Sequence, residues 1–379
     1  MRTACGPNSR AVARSAWCRQ PLGAITPQIA WAVIDRSRNG RVEVEAKLGS
    51  EPNLDPEVCP MSRSATRATY LASLPWIDRE DADVDAYCRD RPEDMFDLRQ
   101  ALLDWRRDGV VIFPGAIAEV ALARFELELE TLVSRPAEYH QEVTVGAISK
   151  LTNQCTSEEL RSCHNLRFNN IHYISPAARE LGLSPIITRF LRHVFAETPC
   201  TMQTLTFNKG SQQPAHADFA FVYNQINVAY LAASWVPLEH VHPDSGPLAY
   251  YPGTHNVVKF GFYDFGGGQV IMTDGSNLMS AAEFGEWLLC EIERGAYERR
   301  VFLPRRGDVL IWHAALVHEG SAIKNHALTR RSLVTHYSAR SQMPTSHHLL
   351  GADGAPEVFD INGGVVFKHR WVDYGRQIR

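Results

Sequence analysis

The spacing of apolar residues predicts helices in the first part of the ordered chain. Leu98, Leu102 and Trp105 fall at helical spacing, and Gly109 follows where that helix would end. Val110–Phe113 then predicts a short strand. Apolar residues spaced by three and four predict two further amphipathic helices, over 122–133 and over 179–196.

From Thr201 onward the pattern becomes typical of strands and turns. Short apolar and aromatic runs alternate with Gly, Pro, Asp and Asn, and one helix is marked by Phe284, Leu288 and Ile292. The predicted strands cover 202–207, 228–235, 248–251, 309–312 and 332–337. The chain is therefore predicted to be α+β, with helices first and a β-rich C-terminal half of the sandwich or barrel type.

The N-terminal region differs from the rest in composition. Residues 1–40 contain one acid, Asp35, against six arginines, and no apolar periodicity lasts there. This favours a disordered tail, or sequence upstream of the natural start, over a transit peptide. We expect 1–60 to be such an extension, 61–94 an irregular lead-in, and 95–379 a single domain whose β core covers about 201–340.

The composition argues against two classes of protein, dedicated nucleic-acid binders and membrane-spanning proteins. The 379 residues carry a formal net charge of −4, so a dedicated nucleic-acid binder is not expected. No apolar run approaches the ~18 residues of a membrane span. The eight cysteines form no CxxC pair, which favours reduced thiols in the cytoplasm.

One group of residues suggests metal chemistry. His216 and Asp218 are separated by one residue at a predicted strand end, and His318 follows 100 residues after Asp218. Two imidazoles and one carboxylate can occupy one face of an Fe(II) octahedron and leave three positions for a co-substrate and O₂. Side chains two apart on a strand point to the same side, as this site would require.

Other histidines compete for these roles. His242-Pro243-Asp244 has the same spacing, but Pro243 and the following residues predict a turn. His140 and Glu142 precede the predicted β core. His313 is an alternative to His318, although five residues separate them and they would face opposite sides of a regular strand.

An arginine in the strand-like run 328–337 suggests a co-substrate site. Arg330 comes twelve residues after His318, and its guanidinium could bind a carboxylate with two hydrogen bonds, as the far end of 2-oxoglutarate would require. Arg331 could take this role if the strand register were shifted by one residue.

Five ordered segments resemble the phytanoyl-CoA dioxygenase family of Fe(II)/2-oxoglutarate oxygenases. They are HAD at 216–218, SWVPLE at 234–239, DSGPLAYYPGTH at 244–255, RGDVLIWHAALVH at 306–318 and TRRSLVTHY at 329–337. The resemblance spans roughly 95–340. It implies a double-stranded β-helix (jelly roll) with helices packed on one side, and Fe(II), 2-oxoglutarate and O₂ as cofactor and co-substrates.

The resemblance also implies roles for individual residues. His216, Asp218 and His318 would bind iron, Arg330 would bind the C5 carboxylate of 2-oxoglutarate, and Trp235 would lie beside it. Gln203 and Thr206, on the strand before HAD, are candidate pocket residues. Ser321 is a candidate co-substrate contact, although it stands one position later than the serine that the family commonly has.

The function that follows is hydroxylation of an unactivated C–H bond in a small organic substrate, with O₂ consumed and succinate and CO₂ released. Related halogenases lack the carboxylate that Asp218 supplies. The alternatives are a non-catalytic jelly-roll protein that retains the iron ligands, and a metal hydrolase or isomerase. The sequence leaves open the substrate, a coenzyme A moiety, the oligomeric state, and whether 256–300 forms a lid.

Overall fold

The computed structural model describes residues 71–378, apart from 92–94, 147, 164, 223–226, 260–280 and 345–346. The described α-helices are α1 (Val84–Cys88), α2 (Leu98–Asp108), α3 (Glu119–Ser134), α4 (Ser157–Ser162), α5 (Pro176–Gly182), α6 (Pro185–Phe195), α7 (His255–Val258) and α8 (Ala281–Arg294). Short 3₁₀ turns occur at Trp76–Asp78, Pro136–Glu138, Thr152–Gln154, Ile171–Tyr173, Asp218–Ala220, Val228–Tyr230 and Arg340–Gln342.

The strands form two sheets in this part of the chain. They are β1 (Val110–Phe113), β2 (Glu142–Val145), β3 (Ile148–Leu151), β4 (Leu166–Asn169), β5 (Pro199–Phe207), β6 (Leu231–Pro237), β7 (Leu248–Tyr250), β8 (Arg300–Val301), β9 (Val309–His313), β10 (His318–Gly320), β11 (Ser332–Ala339), β12 (Val358–Ile361) and β13 (Gly364–Phe367). The major sheet runs β1-β9-β6-β11-β5-β4-β2-β3, and β13 joins it by parallel pairing with β5. The minor sheet runs β10-β7-β8.

The two faces of the major sheet have different partners, because side chains alternate along each strand. One face packs against the helices, and Ile311 and Leu333 belong to that core with Phe190 of α6. The opposite face packs against the minor sheet, and Trp235 there shares a core with Tyr250 of β7. The predicted α+β jelly roll with helices on one side is confirmed.

The first predicted helix has well-defined ends. The side chain of Asp97 accepts a hydrogen bond from Gln100 N (2.9 Å) and caps the N-terminus of α2. Gly109 ends the helix in the left-handed conformation, with φ of 72°. A Cβ at Gly109 would lie 2.4 Å from His255 Nδ1, so glycine is also required by the close approach of that ring. The predictions of α2, β1 and α3 are confirmed.

The helix predicted over 179–196 is two helices, so that prediction is wrong as a single element. The break falls at Leu183 and Ser184, between α5 and α6. Pro185 lacks an N–H and is favoured at the first position of a new helix, which α6 begins there. The apolar spacing continued through the break because residues of both helices pack into one core.

The predicted order, with the helices first and the strands after them, is also wrong. Strands β2, β3 and β4 lie within 142–169 and extend the major sheet beyond β5. The hairpin of β12 and β13 was missed as well, although its turn contains Asn362 and Gly363, both with positive φ. Asn-Gly is a strong hairpin signal in a sequence. The strand predicted over 228–235 begins later, at Leu231, after a 3₁₀ turn.

The described part of the predicted lead-in is packed against the domain. Leu74 and Ile77 are almost fully buried, and Trp76 Nε1 donates a hydrogen bond to His193 O (2.7 Å). The predicted extension, 1–60, lies outside the described residues, as does 260–280 of the segment considered as a lid. Among the described helices, none combines the length and apolar character needed to cross a membrane.

Candidate metal centre

His216 and His318 are brought together by a short antiparallel bridge. His216 N donates to His318 O and His318 N donates to His216 O, both at 3.0 Å. Asp218 follows at the start of the 3₁₀ turn Asp218–Ala220. The main chain therefore holds three candidate ligands from two distant parts of the sequence.

The three side chains converge on one point. Asp218 Oδ1 lies 3.8 Å from His216 Nε2 and 3.4 Å from His318 Nε2. One ligand atom from each residue lies within 4.8 Å of the others. Asp218 and His318 are 5% and 6% exposed. These residues fit a site for Fe(II) of the two-histidine, one-carboxylate type.

Backbone carbonyls orient both imidazoles. His216 Nδ1 lies 2.8 Å from Pro214 O, and His318 Nδ1 lies 3.0 Å from Leu316 O. A proton on each Nδ1 would be donated to these carbonyls, and the Nε2 lone pairs would then face Asp218 Oδ1 and a metal.

The electrostatics favour an ionised carboxylate. Burial alone would raise the pKa of Asp218, but His318 and His336 hold that pKa well below its usual value. Burial and the neighbouring His318 lower the pKa of His216 to about 3. Burial opposes protonation of His318 too, but Asp218 outweighs it and raises the pKa of that imidazole.

Two residues at this centre were missed in the sequence. Trp312 Nε1 donates a hydrogen bond to Asp218 Oδ2 (2.7 Å), and His336 Nε2 lies 3.5 Å from the same oxygen. His336 is an even number of residues from Arg330, so strand alternation offered a signal that both face the interior.

The structure distinguishes the two candidate arginines. Arg330 is 3% exposed, and its Nη1 donates to Gly246 O (3.1 Å). No carboxylate forms an ion pair with Arg330 within the described ranges, and its Nε has no hydrogen-bond partner there. Arg331 instead points outward, with ion pairs to Glu126 and Glu239 at 3.0 Å each.

The buried guanidinium of Arg330 lies among aromatic rings. Its Cζ is 5.4 Å from the centre of the Trp235 ring and 5.9 Å from that of Phe207. Burial lowers the pKa of Arg330 to about 10, so the group remains a cation at neutral pH. A buried cation with no paired anion is a suitable site for a carboxylate ligand.

Gln203 and Thr206 lie on opposite faces of β5. Gln203 is paired with His336 of β11, whose side chain reaches the metal centre. Thr206 shares a face with Thr204, whose hydroxyl contacts His172 on the helix-covered side. The prediction that both residues line the pocket is therefore wrong for Thr206, which faces the helices.

Ser321 also faces away from the candidate ligands. Its Oγ accepts a hydrogen bond from Arg299 Nη2 (2.7 Å), and Arg299 also forms an ion pair with Glu319. Glu319 and Ser321 therefore share the side of the chain opposite to His318. The predicted co-substrate contact of Ser321 is corrected accordingly.

The competing histidines lie elsewhere. His242 and Asp244 belong to an exposed turn, with Ser245 N donating to His242 O. His140 is exposed, next to the start of β2. His313 is fully buried on the helix-facing side, where its Nδ1 accepts a hydrogen bond from Ala315 N (3.0 Å) and fixes the turn before His318.

The buried His313 predicts a pH dependence of stability. Burial, and then the charge of Lys259, lower its pKa to about 3. Between that value and the usual value near 6.5 the unfolded chain binds a proton that the folded chain excludes, so the free energy of unfolding falls as the pH falls. His313 should therefore lower the free energy of unfolding by about 2 kcal/mol at pH 5 relative to pH 7.5, at 1.36 kcal/mol per pKa unit.

His313→Asn retains an acceptor for Ala315 N and removes the titrating group. Urea unfolding of the metal-free protein should show that the stability difference between pH 7.5 and pH 5 shrinks by about 2 kcal/mol in this variant. The exposed His326 offers a matched control, and His326→Asn should behave as the wild type. An unchanged pH dependence in His313→Asn would contradict the expectation.

The comparisons identify the family. A family model described as phytanoyl-CoA dioxygenase matches residues 105–332, which is more than half of the chain. The chain therefore belongs to the phytanoyl-CoA dioxygenase family, and it is an Fe(II)- and 2-oxoglutarate-dependent oxygenase. The predicted family, enzyme class, cofactor and co-substrates are confirmed. The comparison with curated proteins returned no match.

Solved structures with a similar fold share less than 20% sequence identity with this chain in the two cases that follow. EctD from S. alaskensis, solved with 2-oxoglutarate and 5-hydroxyectoine, is 16% identical over 67% of this chain and 81% of that chain, with a TM-score of 0.48. SnoN, an α-ketoglutarate-dependent epimerase from nogalamycin biosynthesis, is 19% identical over 71% of this chain and 98% of that chain, with a TM-score of 0.46.

Proposed function

We propose that the chain hydroxylates an unactivated C–H bond of a small organic substrate, with His216, Asp218 and His318 as the ligands of Fe(II). The observation that carries this proposal is the buried convergence of the three ligand atoms within 4.8 Å. Iron bound there would supply the O₂ chemistry that converts 2-oxoglutarate to succinate and CO₂ and transfers the second oxygen atom to the substrate.

Arg330 binds the far carboxylate of 2-oxoglutarate in this proposal. Its buried, unpaired charge supports the role, because a carboxylate would satisfy the guanidinium with charge-assisted hydrogen bonds. The ring of Trp235 lies over the guanidinium, with Cζ 5.4 Å from the ring centre. Gln203 is kept as a pocket residue because it faces the same side of β5 as Phe207.

Asp218 supports hydroxylation over halogenation. Its carboxylate occupies the position that would have to be vacant for a halide, and it is ionised beside both histidines. An apolar ring lies beside the centre, since the ring of Phe221 stands edge-on to His216 with centroids 5.6 Å apart. This favours a substrate whose reacting C–H lies in an apolar segment.

Two of the arginines that could contact a coenzyme A phosphate are already paired with carboxylates. Arg306 forms ion pairs with Glu119 and Glu126 at 2.7 Å each. Arg299 is paired with Glu319.

The proposal includes a cytoplasmic location, because the cysteines in the described ranges are free thiols.

Slow turnover without substrate tests the proposal. Purified protein with Fe(II), O₂ and 2-oxoglutarate should release succinate above a control without enzyme. Asp218→Ala should lose most of this activity because it removes a ligand. Asp218→Glu should retain little, because the added methylene displaces the oxygen from its ~2 Å bond.

The alternative is a binding protein that retains the iron ligands. It would gain support if the wild type bound Fe(II) and 2-oxoglutarate but released no succinate, even with a panel of acyl-CoA and amino-acid candidates. Equal succinate from Asp218→Ala would show that this carboxylate is not a ligand.

A further inference from the structure

The two oxygens of Asp218 have different surroundings. Oδ1 faces the Nε2 atoms of His216 and His318, at 3.8 and 3.4 Å. Oδ2 accepts a hydrogen bond from Trp312 Nε1 at 2.7 Å and lies 3.5 Å from His336 Nε2. Since the indole nitrogen is a donor only, Oδ2 is committed as an acceptor within the protein.

The two donors are placed by the register of the major sheet. Trp312 of β9 is paired with Ala233 of β6, and Ala233 is paired on its other side with His336 of β11. Paired side chains on neighbouring strands share a face, so these three residues form one row across the interior. The small side chain of Ala233 leaves room for the two rings on either side to reach the same carboxylate.

The second ring nitrogen of His336, Nδ1, makes no hydrogen bond that would compete with this arrangement in the part of the chain that the structure describes. His336 is 3% exposed, and its Nδ1 has no hydrogen-bond partner among the residues described. With a proton on Nε2, the imidazole would donate to Asp218 Oδ2, and Nδ1 would take no part in that contact.

We infer that Trp312 and His336 are positioning residues that reserve Oδ2, so that Asp218 presents only Oδ1 to the metal. A carboxylate that bound through both oxygens would occupy a coordination position needed by the co-substrate or O₂. Ala233 is the residue that permits the arrangement. This inference rests on the proposed function, since it assumes a metal at His216, Asp218 and His318.

Metal affinity tests the inference without turnover. Co(II) would be titrated into the metal-free protein, with calorimetry for affinity and the visible d–d bands for coordination geometry. Trp312→Phe keeps the ring and removes the N–H, and it should weaken Co(II) binding by about 10- to 100-fold. His336→Leu should have a smaller effect in the same direction because its contact is longer, and His336→Gln should recover most of that loss.

A matched control separates this role from general packing. Trp105 is a fully buried tryptophan on the helix-facing side, and Trp105→Phe removes the same group away from the centre. It should retain the affinity and d–d bands of the wild type. Ala233→Leu, which fills the space between the two rings, should weaken binding in the same way as Trp312→Phe.

The outcomes are distinguishable. Wild-type affinity and unchanged d–d bands in both Trp312→Phe and His336→Leu would overturn the inference and leave the proposed function standing. Absence of Co(II) binding by the wild type would overturn both. Because His336→Leu tests the second donor independently, the inference remains open to refutation even if Trp312→Phe does not fold.

Discussion

His216→Ala and His318→Ala should each abolish the visible charge-transfer band that Fe(II) and 2-oxoglutarate give under anaerobic conditions. Each change removes one of three protein ligands from a buried centre in which the ligand atoms lie within 4.8 Å. The loss of Fe(II) affinity should exceed the 10- to 100-fold effect typical of residues that only orient a ligand. Anaerobic titration followed by absorption measures both the band and the affinity.

The second HxD sequence provides the matched control. His242 has the same spacing to Asp244 but lies in an exposed turn, so His242→Ala should leave the band unchanged. A full-strength band in both His216→Ala and His318→Ala would refute the assignment of the centre. This experiment tests the metal centre directly, because it does not require the substrate.

Arg330→Ala should raise the 2-oxoglutarate concentration needed for half-maximal binding by about 30- to 1000-fold, corresponding to roughly 2–4 kcal/mol for a desolvated charge-assisted contact. The guanidinium is buried and has no paired carboxylate in the described part of the chain. Fe(II) binding should be nearly unchanged, because Arg330 contributes no metal ligand. The charge-transfer band, followed against 2-oxoglutarate concentration, measures the effect.

Two comparisons sharpen this prediction. Arg331→Ala should have little effect, since Arg331 is engaged with Glu126 and Glu239 on the outer side. A 2-oxo acid without the far carboxylate should bind the wild type weakly, and Arg330→Ala should largely lose that discrimination. Equal preference for 2-oxoglutarate in wild type and Arg330→Ala, or a larger effect in Arg331→Ala, would contradict the assignment.

The metal centre illustrates how far local sequence patterns extend. His216 and Asp218 are two residues apart and the backbone of Ala217 between them is extended, so both side chains point to the same side. The segment containing His318 follows a predicted strand. The same rule explains an error. Gln203 and Thr206 are three apart, and an odd separation on a strand places them on opposite faces. Ser321 is likewise an odd number of residues from His318.

The prediction of secondary structure failed where a local signal was overridden or overlooked. The apolar period continued from α5 into α6, but Pro185 required a new helix to begin. Strands β2 to β4 are short, and they are stabilised by pairing with one another and with β5. Pairing between segments distant in sequence leaves little trace in the composition of either one.

The family resemblance was needed to choose His318 as the third ligand. The sequence by itself determined the α+β class, the main helices and core strands, and the closely spaced pair of His216 and Asp218. These depend on periodicity and on short spacings, which are properties of a continuous segment. Only the tertiary structure decided that Arg330 is buried while Arg331 is paired outside. It also decided that Trp312 and His336 meet at one oxygen of Asp218, because the register of β9, β6 and β11 brings them there. Register is set by the packing of whole strands, and no single segment contains that information.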